Sequence, residues 1–107
     1  MIIVCQNLLK NTKINGITIF PFILIRKAID RGNATLINHE KIHLKQQLEL
    51  GIIPFYIWYI GEFYWLWFRY RNSYVAYRKI RFEREAYANE HNLNYLKKRK
   101  FWAFLKY

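Results

Sequence analysis

The five residues His39-Glu40-Lys41-Ile42-His43 limit what this chain can become more than any other stretch. They read H-E-x-x-H. On a helix, His39 and His43 stand at i and i+4, so both imidazoles leave one face and can hold a single tetrahedral ion such as Zn2+. Glu40 lies on the shoulder of that face, where its carboxylate can reach a water on the ion without being a ligand. Random placement of the chain's own histidines and glutamates would produce this pattern in roughly 0.005 of such chains, so coincidence is a poor explanation of it. Two histidines leave zinc under-coordinated, and a third ligand must come from elsewhere in the chain.

The flanking residues predict the helix. Thr35 is an N-cap residue and Gly51 a stop signal, which bounds a helix over about 36–50. At 3.6 residues per turn, His39, His43, Gln46 and Leu50 share one side, and Ile37, Leu44 and Leu48 lie nearly opposite. Asn38, Lys41, Lys45 and Glu49 form the one polar stripe. A helix buried on two sides is central to its fold. Gln46, three residues after His43, is spaced to hydrogen-bond the ring of that histidine.

Upstream, Ile2-Ile3-Val4 is strand-like and Asn11 to Gly16 is a polar turn. Ile17 to Phe20 and Phe22 to Ile25 are β-rich runs split by Pro21, an edge strand or two strands with a kink. Downstream, Leu50 to Phe68 carries Glu62 as its only charge, with Pro54 suited to a first helical turn. As a helix it would span about 28 Å, close to the hydrocarbon thickness of a bilayer. Gly61, Glu62 and the density of Tyr and Trp favour a core or interfacial helix over a transmembrane one. Trp58, Glu62, Trp65 and Arg69 share a face, which predicts a Glu62–Arg69 pair. A last helix is expected over about 82–98. In it Glu83 and Glu90 share a face while Glu85 points away.

These elements predict an α+β fold, mainly α, in a single small domain of 107 residues. A β-rich part, 1–34, precedes a helical metal-binding part, 35–98, with three or four helices, and a basic-aromatic tail, 99–107. With 53% hydrophobic residues the chain is not disordered. Its net charge of +11 directs it to anionic partners, an acidic lipid surface or nucleic acid. Arg69 to Arg81 interleaves basic and aromatic residues, as single-strand binders and headgroup-layer segments both do. No nucleic-acid module accompanies it, so nucleic acid ranks second. Lys97-Lys98-Arg99-Lys100 ahead of Phe101 to Leu105 reads as an anchor on an acidic membrane. Cys5 is the only cysteine and forms no intrachain disulfide, which makes a reducing compartment the expectation. An inert thiol is favoured over a zinc ligand so far from the motif. Gln6 and Asn7 interrupt the apolar start too soon for a cleavable signal. The expected location is cytoplasmic, free or at the inner membrane, peripheral or partly inserted.

His39-Glu40-Lys41-Ile42-His43, an intervening hydrophobic helical stretch, and then Phe82-Glu83-Arg84-Glu85-Ala86-Tyr87 together resemble the gluzincin metallopeptidases. They are similar in order to the membrane-embedded, antirepressor-type peptidase domains of bacterial antibiotic sensors. The resemblance spans roughly 36–94. It implies Glu83 as the third zinc ligand, Ala86 as the small residue of the Glu-x-x-Ala-Asp pattern, and Glu40 as the general base of peptide hydrolysis. Tyr87 stands where the family often carries Asp, and either hydrogen-bonds near a histidine or steadies an oxyanion. The β segments over 17–25 would supply an edge strand that pairs with an extended peptide substrate. Glu62, Glu85 and Glu90 remain alternative third ligands. A zinc-binding domain without turnover, acting at a membrane surface or as an interaction module, and a basic nucleic-acid-binding protein are the rival functions.

Overall fold

The computed structural model describes residues 2–4, 16–27 and 32–107. Cys5, most of the polar turn before Gly16, and Asp30 lie outside them. The N-terminal part is a three-stranded sheet: β1 (Ile2–Val4), β2 (Gly16–Ile19) and β3 (Phe22–Ile25), in the order β1-β3-β2. β2 and β3 form an antiparallel hairpin that pairs Ile19 with Phe22, so the run split by Pro21 is two strands. β1 lies parallel to β3 on the far side, which makes β2 one edge of the sheet. Among the described residues five helices follow: α1 (Ala34–Leu50), α2 (Ile52–Tyr70), α3 (Ser73–Lys79), α4 (Arg81–Asn89) and the short α5 (Tyr95–Lys98), with a closing 3-10 turn over Ala103–Lys106. The architecture is α+β and mainly helical, as the patterning predicts.

α1 is the central element, packed between the sheet and the helices α2 and α4. On one side Ile37 joins Ile23 and Ile25. Beyond the other, Phe55, Leu66, Ala76, Ile80, Phe82 and Phe104 form the larger core cluster. The cap is Asn33 and not Thr35: its side chain accepts the Leu36 N–H at 3.1 Å, which starts the helix two residues early. Gly51 ends it with φ +91°, a backbone angle that side-chain-bearing residues rarely adopt. Two expectations for the faces of α1 fail. Leu48 is 58% exposed, and Asn38 and Glu49 leave the solvated stripe. Asn38 is buried because its amide nitrogen reaches the carbonyls of Asn89, Glu90 and Asn92 at 3.3, 2.8 and 3.1 Å. The Asn89 and Glu90 carbonyls close α4 and that of Asn92 belongs to the turn after it, so Asn38 ties α1 to the end of that helix. The expected helix over 82–98 is therefore broken between Asn89 and Asn94.

The tail is not a free anchor. Arg99 forks onto Glu49 and Glu85, and Phe104 is fully buried against Trp58, Phe82 and Trp102. Glu62 does not pair with Arg69. It accepts from the backbone and Nε of Arg81 and from Trp58 Nε1, while the Arg69 guanidinium lies over the Trp65 and Tyr70 rings. Among the described residues, no helix is long and apolar enough to cross a membrane.

Candidate metal centre

Helix α1 brings His39 and His43 to one face, as their spacing requires, and α4 crosses that face with Glu83. The three side chains converge. His39 Nε2 lies 3.0 Å from Glu83 Oε1, His43 Nε2 lies 3.1 Å from the same oxygen, and the two Nε2 atoms are 3.2 Å apart. A tetrahedral ion with bonds of about 2.1 Å separates its ligand atoms by roughly 3.4 Å, so this triangle is within a few tenths of an ångström of one face of a zinc tetrahedron. All three residues are nearly buried, at 4–6% exposure.

The partners of the other ring nitrogens fix which atoms face the triangle. His39 Nδ1 is 2.9 Å from Glu90 Oε2, a carboxylate that only accepts. His43 Nδ1 is 2.7 Å from Gln46 Oε1. That oxygen assignment is secured by the amide nitrogen of Gln46, which donates to the Phe82 carbonyl at 3.1 Å and to Glu85 Oε1 at 2.9 Å. Both Nδ1 atoms are thus donors, so Nε2 is the atom that each ring turns to the triangle, and the one that could hold an ion once its proton is lost. Tyr59 from α2 donates to Glu83 Oε2 at 2.5 Å, which turns Oε1 inward. The donor set of two imidazoles and one monodentate carboxylate is one that zinc takes.

The charges agree. Burial works against a charge on His43, yet the adjoining Glu83 carboxylate and its hydrogen bond lift the imidazole to about 9. Burial likewise disfavours ionised Glu83, but the His43 charge and the hydrogen bonds from both histidines hold it well below the usual carboxylate range. A proton on His43 offsets part of the negative charge that a divalent ion would neutralise.

A scan against protein-family models and searches of curated proteins and of solved structures find no match to this chain. The chemistry of the site must therefore come from its own atoms.

Glu40 is close to the triangle but apart from it. The ligand atoms of His39, Glu40 and His43 lie within 4.8 Å of one another, so Glu40 is a conceivable ligand on distance alone. Its Oε2 is 4.0 Å from His39 Nε2, however, against 3.0 Å for Glu83 Oε1, so Glu83 is the carboxylate nearer to the imidazoles. Thr18 Oγ1 of β2 lies 3.1 Å from Glu40 Oε1 and the same distance from its backbone carbonyl, which leaves Oε2 turned to the site across a gap that a water can bridge. Burial raises the Glu40 carboxyl above its ordinary value, with the two histidine charges opposing.

Tyr87 touches the site through its ring. It stands edge-on to His39 at 4.5 Å, with its hydroxyl 2.7 Å from that of Tyr77 and the Arg78 guanidinium over its face. The hydrogen bond to a histidine expected of Tyr87 is made by Glu90. Glu85 and Glu62 lie elsewhere, with Arg99 and with Arg81. Gln46 was readable from its spacing to His43. Thr18 and Tyr59 were not, because a lone hydroxyl in an apolar strand or helix carries no sign of the neighbour that its tip will meet. At the sheet edge the Gln47 side chain takes the Thr18 carbonyl at 2.7 Å and the Phe20 N–H at 2.8 Å, and Tyr56 also donates to that carbonyl. An extended peptide pairing with β2 would have to displace Gln47 there.

Proposed function

We propose that this chain is a minimal zinc-dependent peptide hydrolase. His39, His43 and Glu83 would hold the ion. The observation that carries the reading is the triangle of His39 Nε2, His43 Nε2 and Glu83 Oε1 at 3.0–3.2 Å, with both Nδ1 atoms already committed to Glu90 and Gln46. When bound, zinc supplies Lewis acidity that polarises a peptide carbonyl and makes a nearby water more acidic. Glu40 is the general base. Its free Oε2 faces the site, and its raised pKa brings it closer to the working range of a base that must also return the proton. Glu40 accepts the proton of the attacking water and delivers it to the leaving amine. Thr18 holds the carboxylate in that orientation, and Tyr59 keeps Glu83 from rotating away.

A second reading is a zinc domain without turnover. The near-complete burial of the site and the Gln47 amide on the β2 edge favour it. Glu40→Gln separates the two. In the hydrolase, this variant keeps zinc and fold but loses peptide cleavage by about a hundredfold or more. If zinc-loaded wild type cleaves no member of a diverse peptide library, or if Glu40→Gln cleaves as fast as wild type, the hydrolase reading is wrong.

A further inference from the structure

The outer face of α2 is open to solvent. Ile53, Ile57, Ile60, Tyr64 and Phe68 follow one another at spacings of three and four, so they form a single stripe, and they are 72, 67, 51, 59 and 76% exposed. The stripe runs about 22 Å along the helix. Trp65 and Trp67 flank it, both also exposed. Phe55, Tyr59 and Leu66 point the other way, into the core and the metal centre. A monomer seldom leaves so long an apolar stripe to water unless it is a docking surface.

Charge selects the occupant. Each of the six glutamates is turned inward: Glu40, Glu83 and Glu90 onto the histidines, Glu49 and Glu85 onto Arg99, and Glu62 onto Arg81. None of them is exposed, whereas Lys41, Lys45, Arg69, Arg71, Arg78, Lys79, Arg84 and Lys97 all are. The described surface is thus basic with almost no acid to relieve it, in a chain of net charge +11. Cations close the C-terminal end of the stripe: Arg71 lies over Phe68, and Arg69 and Lys79 over Tyr70. A second copy of the chain would bring like charges together around the contact. Nucleic acid would meet the charges but leave Ile53, Ile57 and Ile60 with nothing to pack on, since bases stack on rings.

We propose that the outer face of α2 docks on an anionic lipid surface, with the Ile53–Phe68 stripe in the headgroup and acyl boundary and the flanking arginines on lipid phosphates. A helix lying in the interface needs an apolar face with basic and aromatic borders and does not need the length to cross. The metal-centre side of α2 faces away from the lipid. The docking is independent of whether the centre binds metal or cleaves peptides.

The test is flotation of the full chain with vesicles of phosphatidylglycerol and phosphatidylcholine, and with phosphatidylcholine alone. Wild type should bind the anionic vesicles at least about tenfold more than the neutral ones, with a blue shift of tryptophan emission. The double variant Ile57→Asp/Phe68→Asp should lose that binding about tenfold or more, while Leu93→Asp, which changes an exposed leucine off the stripe, should not. Circular dichroism checks that both variants remain folded. Absence of flotation overturns the proposal, as does equal flotation of the double variant, which would mean that charge alone drives the contact. A self-association abolished by Ile57→Asp/Phe68→Asp without vesicle binding assigns the stripe to a second copy. Single-stranded DNA binding that is lost in the same variant, without vesicle binding, assigns it to nucleic acid. Either result also overturns it.

Discussion

Replacing Arg99 by methionine tests how the C-terminal segment holds the site from behind. The Arg99 side chain is 3% exposed and grips two carboxylates. Nη1 and Nη2 lie 2.8 and 3.0 Å from the two oxygens of Glu49, and Nε and Nη2 lie 2.5 and 3.1 Å from those of Glu85. Methionine keeps most of the unbranched stem and removes the charge with all of its donors. Glu85 would retain Gln46 and Tyr95, and Glu49 would retain the Trp102 N–H, but neither would face a cation. Breaking a buried ion pair on one side costs about 3–5 kcal/mol, a large share of the roughly 5–15 kcal/mol that holds a domain together. The pH dependence gives the mechanism away. In wild type, burial tends to raise the Glu85 pKa, and hydrogen bonds from Arg99, Tyr95 and Gln46 bring it below 4.5 instead. A lowered carboxylate stabilises the fold above its unfolded pKa, and that contribution is lost as pH falls through the folded value. In Arg99→Met, burial wins, the sign reverses, and stability falls as pH rises. Urea unfolding followed by circular dichroism should show a larger gap between wild type and variant at about pH 7.5 than at about pH 5. A loss below about 1 kcal/mol, or an equal loss at both pH values, would refute the assignment of this pair.

Three further outcomes follow from the same contacts. Tyr59→Phe removes the 2.5 Å bond that orients Glu83 and should weaken zinc binding by about 10–100-fold in a chelator competition, with the fold intact. Zinc must displace the proton that Glu83 keeps on His43 up to about 9, so affinity should rise about tenfold from pH 7 to pH 8, measured by calorimetry, and level off above about pH 9. Phe104→Ala should cost about 3–5 kcal/mol in chemical unfolding, because this tail residue is fully buried between Trp58, Phe82 and Trp102.

What the sequence made legible, and what it did not, divides by range. The spacing of His39 and His43 placed both on one face of α1 because a helix's period is local. Glu83 came from the resemblance of its Glu-x-x-Ala surroundings, and no periodicity links it to a helix 40 residues earlier. Glu90 shares a face with Glu83, but its contact with His39 Nδ1 depends on how α4 crosses α1. Asn38 shows the limit best. It reads as solvated on the helix wheel, and it is buried because it serves the end of another helix. Arg99 and Phe104 look like parts of a basic-aromatic tail until Glu49, Glu85 and Phe82 are known to lie behind them.

The central claim is that His39, His43 and Glu83 form one zinc site. Its most direct measurement is the zinc content of protein purified without added metal and passed over a weak chelating resin, for wild type and for Glu83→Gln. Wild type should carry about one zinc per chain and the variant less than about a tenth of that, while circular dichroism shows both folded. Wild type without zinc even after loading, or equal zinc in the two proteins, would contradict it.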